Sequence, residues 1–95
     1  MKTEAKLWVR YKSTRDSDAR EKIILRYAHF VKYVAGKVGI SMPSYIDFDD
    51  LVSWGIFGLI DAIEKFDHKA NVKFVTYAQL RIRGSILDGL RVGLG

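Results

Sequence analysis

The stretch DFDDLVSWGIFGLIDAIEKF, residues 47–66, has the apolar period of a helix but is apolar on more than one side. At about 100° per residue, one stripe collects Phe48, Val52, Gly55, Leu59, Ile63 and Phe66. The opposite face carries Trp54, Phe57 and Ile60 beside Asp50, Ser53, Asp61 and Glu64. A surface helix needs one apolar stripe, so either the rest of the chain or another protein must cover the second one.

Local features mark this stretch as a helix with close neighbours. Asp47 is a candidate N-cap, and Asp49 and Asp50 place negative charge in the first turn, where the helix dipole favours it. Gly55 and Gly58 lie in the middle of the helix, where each costs roughly 0.5–1 kcal/mol relative to alanine. The two glycines therefore predict a second helix that crosses at short distance.

Length and composition limit the classes of protein that this chain can belong to. Its 95 residues make one domain with a single core, and 48% hydrophobic with 28% charged residues is typical of a folded soluble protein. No run approaches the ~20 apolar residues of a membrane span, and the N-terminus lacks the apolar region of a secretory signal. The chain has no cysteine, which excludes disulfides and thiolate metal sites. We expect a cytoplasmic protein that does not bind membranes.

Acidic and basic residues are segregated along the chain. Six acids fall between Asp47 and Asp67 with only Lys65 opposing them, whereas residues 68–91 hold five basic residues and one acid, Asp88. A basic C-terminal helix suits a polyanion, and an acidic central helix suits a more basic partner. The alternative is ordinary solvated charge.

The other segments predict further helices and an all-α, compact bundle of about four helices. Apolar spacing predicts a short helix at 3–12 capped by Thr3, a long one at 18–38, a connector at 39–47 and a last helix at 74–91. Residues 92–95 follow the last helix directly and have no polar terminus. We expect them to be the end of a fragment of a longer chain.

The last helix also divides into two sides. The predicted inward stripe is Val75, Ala78, Ile82, Ile86 and Leu90. The other side holds Tyr77, Leu80, Arg81, Gly84, Leu87, Asp88 and Arg91. An aromatic ring, two arginines, a small residue and an acid suit a reader of the major groove or of a single strand. Alternatively, the tyrosine and leucine complete the core and the arginines face solvent.

Residue patterns typical of catalysis are absent from the sequence. The two histidines, His29 and His68, have no hydroxyl or carboxylate at a spacing that indicates a triad. The acids of the central helix point in different directions, and no EF-hand pattern surrounds them. No glycine-rich phosphate loop occurs. We therefore expect no enzyme, no metal site and no cofactor.

Two segments resemble a known family, DLVSWGIFGLIDAIEKFD at 50–67 and VKFVTYAQLRIRGSILDGLR at 72–91. Together with LW at 7–8 and RYAHFVKYVAGKV at 26–38, they are similar to region 2 of bacterial sigma factors. The TYA…RIRG…DGLR run is most similar to the flagellar and sporulation types. The resemblance covers nearly the whole chain.

This resemblance implies two binding surfaces. On the central helix, the positions that face the clamp helices of the largest subunit of core RNA polymerase include Asp50, Ser53, Ile56, Phe57 and Ile60. The apolar face described above adds Trp54. The next loop and helix of the family recognise and melt the minus-ten promoter element and hold an unstacked base of the non-template strand. The positions that match this base pocket are Phe66, Asp67, Lys73, Phe74, Thr76 and Tyr77.

The sequence also departs from the pattern of housekeeping sigma factors. Leu80 and Arg81 replace a tryptophan pair, and Gly84 and Leu87 replace polar readers. A leucine stacks less well than an indole, so we expect weaker autonomous melting. Recognition of the upstream part of the element would depend on Arg81, Asp88 and Arg91, as in the flagellar subgroup.

Two alternatives remain beside a promoter-opening module that lacks the later sigma domains. One is an interaction module that binds the polymerase clamp or an anti-sigma factor without productive promoter recognition. The other is an unrelated helical DNA-binding domain.

Overall fold

Four helices account for the fold, as the sequence predicts. The computed structural model describes residues 2–94, with side chains from residue 4 to residue 93. The helices are α1 (Lys2–Thr14), α2 (Ser17–Ile40), α3 (Phe48–Lys65) and α4 (Phe74–Leu94), and the described residues form no strand. The prediction of an all-α bundle is therefore confirmed. No helix in this part of the chain is both long enough and apolar enough to cross a membrane.

The start of α2 and the end of α4 differ from the predicted helix ends. The N-cap of α2 is Asp16, whose side chain accepts a hydrogen bond from the backbone N–H of Ala19 at 2.9 Å. Helix α4 continues past Arg91 to Leu94, so most of the predicted tail is helical. The side chain of Thr3, the predicted cap of the first helix, lies outside the described residues.

The centre of the bundle is α3, which packs against both α2 and α4. The predicted cap is present, because the Asp47 carboxylate accepts a hydrogen bond from the backbone N–H of Asp49 at 2.9 Å. At the other end, Lys12 of α1 donates to the carbonyl oxygens of Ile63 and Glu64 at 2.9 and 2.8 Å. A cation at a helix C-terminus satisfies free carbonyl groups and complements the helix dipole. Both ends of α3 are thus fixed by side chains.

Gly55 and Gly58 mark the predicted close crossings. A Cβ atom at Gly55 would lie 2.6 Å from a methyl group of Val31 in α2. A Cβ atom at Gly58 would lie 2.7 Å from the carbonyl oxygen of Arg81 and 2.8 Å from the Cα atom of Ile82, both in α4. No side chain fits at either position, so the glycines allow α2 and α4 to approach α3 together.

The buried stripe of α3 is rotated relative to the predicted one. Leu51, Gly55, Gly58, Leu59, Ala62 and Ile63 are buried within the helix. The predicted core residue Phe48 is 43% exposed, and Val52 is only partly buried. Val75, predicted to face inward on α4, is 41% exposed. Phe48 and Val75 each lie in the first turn of a helix, where the neighbouring helices do not cover them.

Candidate functional site

The outer face of α3 presents an exposed aromatic ring flanked by acids. Phe57 is 68% exposed, although large apolar side chains are usually covered in a folded domain. Asp50 and Ser53 are also exposed, and Ile56 and Ile60 are partly buried at the edge of this face. The structure therefore brings five of the six predicted polymerase-binding residues to one surface.

Trp54, the sixth, packs on α4 instead of standing free like Phe57, and its role in polymerase binding stays a prediction. Its indole ring packs on α4, where it fills the space next to Gly89 and reaches Gly93, so that it is partly buried. The hydroxyl of Ser85 donates to the carbonyl oxygen of Trp54 at 2.7 Å and ties the same two helices together. Gly89 and Gly93 are four residues apart and therefore lie on one side of α4. This pair of glycines was the sequence signal for the position of the Trp54 ring.

An aromatic cluster lies beneath the loop between α3 and α4. Phe66 and Phe74 are 8% and 5% exposed, and their ring centroids are 5.1 Å apart in an edge-to-face arrangement. The ring of Trp8 in α1 packs on both, at 5.2 and 5.0 Å. Both phenylalanines also line an open pocket of about 300 Å³, together with Trp8, His68 and Val72. Their predicted contact with an unstacked base stays a prediction.

Tyr77 lies at the edge of this cluster and is partly buried. Its ring centroid is 5.6 Å from that of Phe66, so the core supports the tyrosine from below. The guanidinium carbon of Arg81 lies 5.7 Å from the Tyr77 ring centroid, within the range of a cation–π interaction. Buried aromatic rings thus hold Tyr77 in place while part of it stays accessible.

Behind the same cluster, Glu4 orders a second tyrosine, Tyr27, that no sequence motif marked. The Tyr27 hydroxyl donates to the Glu4 carboxylate at 2.5 Å, and its ring packs edge-on against Phe74 at 4.8 Å. Burial and this hydrogen bond raise the pKa of Tyr27 above its ordinary value. Glu4 also accepts from the indole N–H of Trp8 at 3.2 Å. The Tyr27 bond fixes α1 against α2, and the Trp8 bond orients the Glu4 carboxylate within α1.

Asp61 and Arg81 form the main ion pair between α3 and α4. The Asp61 Oδ2 atom accepts from the Arg81 Nε atom at 2.9 Å and also from Nη2. Lys65 binds the other carboxylate oxygen at 2.9 Å. The hydrogen bonds from Arg81 and Lys65 lower the pKa of Asp61. The sequence showed Asp61 and Arg81 as separate charges and gave no sign of this contact.

The remaining predicted DNA-binding residues are accessible. Asp67 and Lys73 are exposed in the loop, and Thr76 is exposed in the first turn of α4. Leu80 is 72% exposed, and Gly84 is partly buried one turn later. Asp88 and Arg91 form an exposed ion pair at 3.3 Å. Thr76, Leu80, Asp88 and Arg91 therefore lie on the outer side of α4, and Asp67 and Lys73 lie in the loop before it.

The two candidate surfaces meet in a groove between α3 and α4. The groove has a volume of about 340 Å³ and is lined by Phe57, Gly58, Asp61, Leu80, Arg81, Gly84, Ser85 and Asp88. Gly58 and Gly84 contribute no side chains, while Phe57 and Leu80 are the exposed apolar residues of this lining. Within residues 2–94, the acids and histidines form no group of three that could hold a metal ion.

Comparison with known proteins identifies the family that this arrangement belongs to. Residues 23–92 match the family described as sigma-70 region 2. The chain belongs to the sigma-70 region 2 family. The matched range contains α3, the loop, nearly all of α4 and most of α2, so it includes both candidate surfaces. The resemblance stated from the sequence is confirmed.

Relatives of this sigma region 2 chain include flagellar-type sigma factors. It is 46% identical over 85 residues to the RNA polymerase sigma-D factor of Bacillus subtilis, covering 90% of this chain and 34% of that protein. It is 36% identical over 83 residues to the sigma factor FliA of Pseudomonas aeruginosa, covering 87% and 34%. The chain thus spans about a third of the length of these curated relatives.

Solved structures support the same assignment. A sigma-28 (FliA)/FlgM complex matches with a TM-score of 0.75 and 34% identity, over 83% of this chain and 35% of that one. A cocrystal structure of the flagellar sigma/anti-sigma complex, sigma-28/FlgM, matches with a TM-score of 0.74. The fold and the sequence motifs therefore agree.

Proposed function

We propose that this chain is the part of a sigma factor that binds core RNA polymerase and recognises and opens the minus-ten promoter element. The observation that carries the proposal is the exposed Phe57 at the centre of the acid-flanked outer face of α3. The bundle does not need this ring for its own core. Within the sigma-70 region 2 family, this face is the one expected to meet the clamp helices of the largest polymerase subunit.

The charges on α3 and α4 support different binding partners for these two helices. The outer side of α3 carries Asp50, Ser53 and Glu64 around Phe57, which suits a partner with basic side chains. The loop and the outer side of α4 carry Lys73, Arg81 and Arg91, which suit the phosphates and base edges of DNA. Two partners of opposite charge can therefore bind on adjacent helices.

Tyr77 is the residue that we propose stacks on an unstacked base of the non-template strand. An aromatic ring held by Phe66 and Arg81 is already ordered before DNA arrives, so little side-chain freedom is lost on binding. Thr76 and Lys73 are exposed nearby in the chain and supply a hydroxyl and a cation for the adjacent backbone. Phe66 supports this ring from beneath, and Phe74 packs on Phe66.

A second candidate function is an interaction module that binds polymerase or an anti-sigma factor without productive promoter recognition. Two observations favour it. Leu80 stands where an indole would act as a wedge, and the Arg81 guanidinium is already engaged by Asp61. The structurally similar flagellar sigma factor is in complex with FlgM. An unrelated DNA-binding domain is excluded by the family membership.

Two binding experiments separate these functions. The chain is first mixed with core RNA polymerase and passed over a sizing column, where we expect co-elution. The mixture is then titrated with a single-stranded non-template oligonucleotide that carries a minus-ten element and with a scrambled control. Preference for the element supports promoter recognition. Co-elution without any preference supports the interaction module, and failure to co-elute contradicts both.

A further inference from the structure

Arg81 is held on two sides in the groove between α3 and α4. On one side, its Nε and Nη2 atoms donate to a single oxygen of Asp61. On the other, the guanidinium lies over the ring of Tyr77 at 5.7 Å. Lys65 binds the second oxygen of Asp61 at 2.9 Å and so fixes the carboxylate in turn. The arginine therefore has a defined orientation before any ligand binds.

The ion pair leaves the outer edge of the guanidinium unused. A guanidinium carries five N–H donors in one plane, and Asp61 takes the edge formed by Nε and Nη2. Nη1 has no hydrogen-bond partner among the described residues, and 35% of the side chain is exposed to the open groove. The edge formed by Nη1 and Nη2 is thus free to donate two parallel hydrogen bonds.

A guanine base has the acceptors that match this free edge. Its O6 and N7 atoms accept bidentate hydrogen bonds from arginine in the major groove, and this is the commonest base-specific contact of that side chain. Adenine has a donor in place of O6, so the same edge discriminates against it. The preference for guanine over adenine would then depend on the geometry of the donor edge and not on the charge of Arg81 alone.

We infer that Asp61 is a positioning residue that orients Arg81 to read a guanine in promoter DNA. The inference rests on the proposed function, because it requires that α4 faces promoter DNA. Asp61 does not touch the base. Its carboxylate limits the rotation of the guanidinium and so lowers the ordering cost of each guanine contact.

The carboxylate has a second effect of opposite sign. Because Asp61 is negative and lies in the groove, it repels the phosphates of any DNA that enters. Its neutralisation therefore raises or preserves affinity for DNA of any sequence, while it releases Arg81 and lowers the preference for guanine. If the ion pair had only a structural role, neutralising Asp61 would not lower the preference for guanine while preserving or raising the affinity for DNA.

The test uses the 95-residue chain and fork-junction DNA in which the upstream half of the minus-ten element is randomised. The bound fraction is sequenced, and total affinity is measured in parallel. We expect the unmodified chain to enrich guanine at one position by about 5- to 150-fold, the range of one bidentate contact. Arg81→Ala should abolish this enrichment. Asp61→Asn should lose most of it at equal or higher total affinity.

Two further variants keep the result interpretable. Asp18→Asn removes an exposed carboxylate of α2 that pairs with Arg10 and Lys22 rather than Arg81, and should enrich guanine like the unmodified chain. Asp61→Glu keeps the negative charge one methylene further out, and should retain part of the guanine preference. Melting temperatures of all variants show whether the fold is intact.

The outcomes separate the two proposals. Asp61→Asn with unchanged guanine enrichment overturns the positioning role, and so does a guanine preference that survives Arg81→Ala. If the unmodified chain binds the fork without any base preference, or does not bind it, the proposed promoter recognition fails and the positioning role falls with it.

Discussion

Gly58 of α3 lies against the backbone of α4, where an added Cβ atom would meet the carbonyl oxygen of Arg81 at 2.7 Å. The atoms next to Gly58 include two backbone atoms of α4, which cannot move aside without shifting the helix. This contact sets the distance between the helix that we propose binds polymerase and the helix that we propose reads DNA.

Gly58→Ala should therefore destabilise the protein. Alanine improves helix propensity by up to about 1 kcal/mol, but overpacking in a tight contact costs about 1–3 kcal/mol. We expect a net loss of about 1–2 kcal/mol in the free energy of unfolding, measured by urea denaturation. The matched control is Gly36→Ala, because a Cβ atom at Gly36 in α2 meets nothing within 4 Å. A stabilised Gly58→Ala variant would contradict the close crossing.

Stability should also fall at alkaline pH through Tyr27. Its pKa is raised in the folded protein by burial and by Glu4, so the folded state holds the phenol proton more tightly than the unfolded state. The stabilisation is complete below the unfolded pKa of about 10 and is lost as pH rises above it. Tyr27→Phe should flatten this decline between about pH 10 and 12 in thermal melts. An unchanged slope would show that Glu4 does not hold the hydroxyl.

The stacking role of Tyr77 predicts a difference between two substitutions. Tyr77→Ala should weaken binding to the non-template oligonucleotide by about 5- to 150-fold, because stacking of a base on an aromatic ring is worth roughly 1–3 kcal/mol. Tyr77→Phe keeps the ring and should retain most of the affinity. The loss should be larger with adenine at the unstacked position than with an abasic site. Equal affinity of all three proteins for both oligonucleotides would make Tyr77 only an edge of the core.

The loop cation Lys73 should act through a phosphate rather than a base. Lys73→Ala is expected to lower the salt dependence of single-strand binding by about 0.7 in the log–log slope, equally for all sequences. Arg83 is the comparison, because it lines a separate groove with Lys37 and Gln79, away from Tyr77. Arg83→Ala should leave the slope nearly unchanged. A sequence-dependent effect of Lys73→Ala would assign it to a base edge instead.

The sequence predicted the helices, the Asp47 cap and the close crossing at Gly55 and Gly58, because each depends on local chemistry. It placed Phe48 and Val75 in the core and Trp54 on the outside. A projection of one helix gives the direction of each side chain but not where the neighbouring helices begin and end. The packing of Trp54 depends on Gly89 of α4, which lies 35 residues later in the chain.

The lack of information on neighbouring helices also explains which contacts of the candidate site the sequence did not predict. The pairing of Asp61 with Arg81 joins two helices at a separation of 20 residues, and no periodicity encodes it. The burial of Phe66 and Phe74 follows from Trp8 and Tyr27, which belong to helices far away in the sequence. The exposed positions Asp50, Ser53 and Phe57 were predictable, because they lie opposite a stripe that includes both glycines.

The most direct measurement is the affinity for core RNA polymerase of the unmodified chain, Phe57→Glu and Leu25→Glu, with the melting temperature of each protein. Leu25 in α2 is 65% exposed, nearly the same as Phe57 at 68%, but lies outside the proposed interface. We expect Phe57→Glu to lose at least about 2 kcal/mol of binding free energy, as a central aromatic anchor does, without a large drop in melting temperature. Leu25→Glu should bind normally. Full polymerase binding by Phe57→Glu, or a collapse of its thermal stability, would contradict the account.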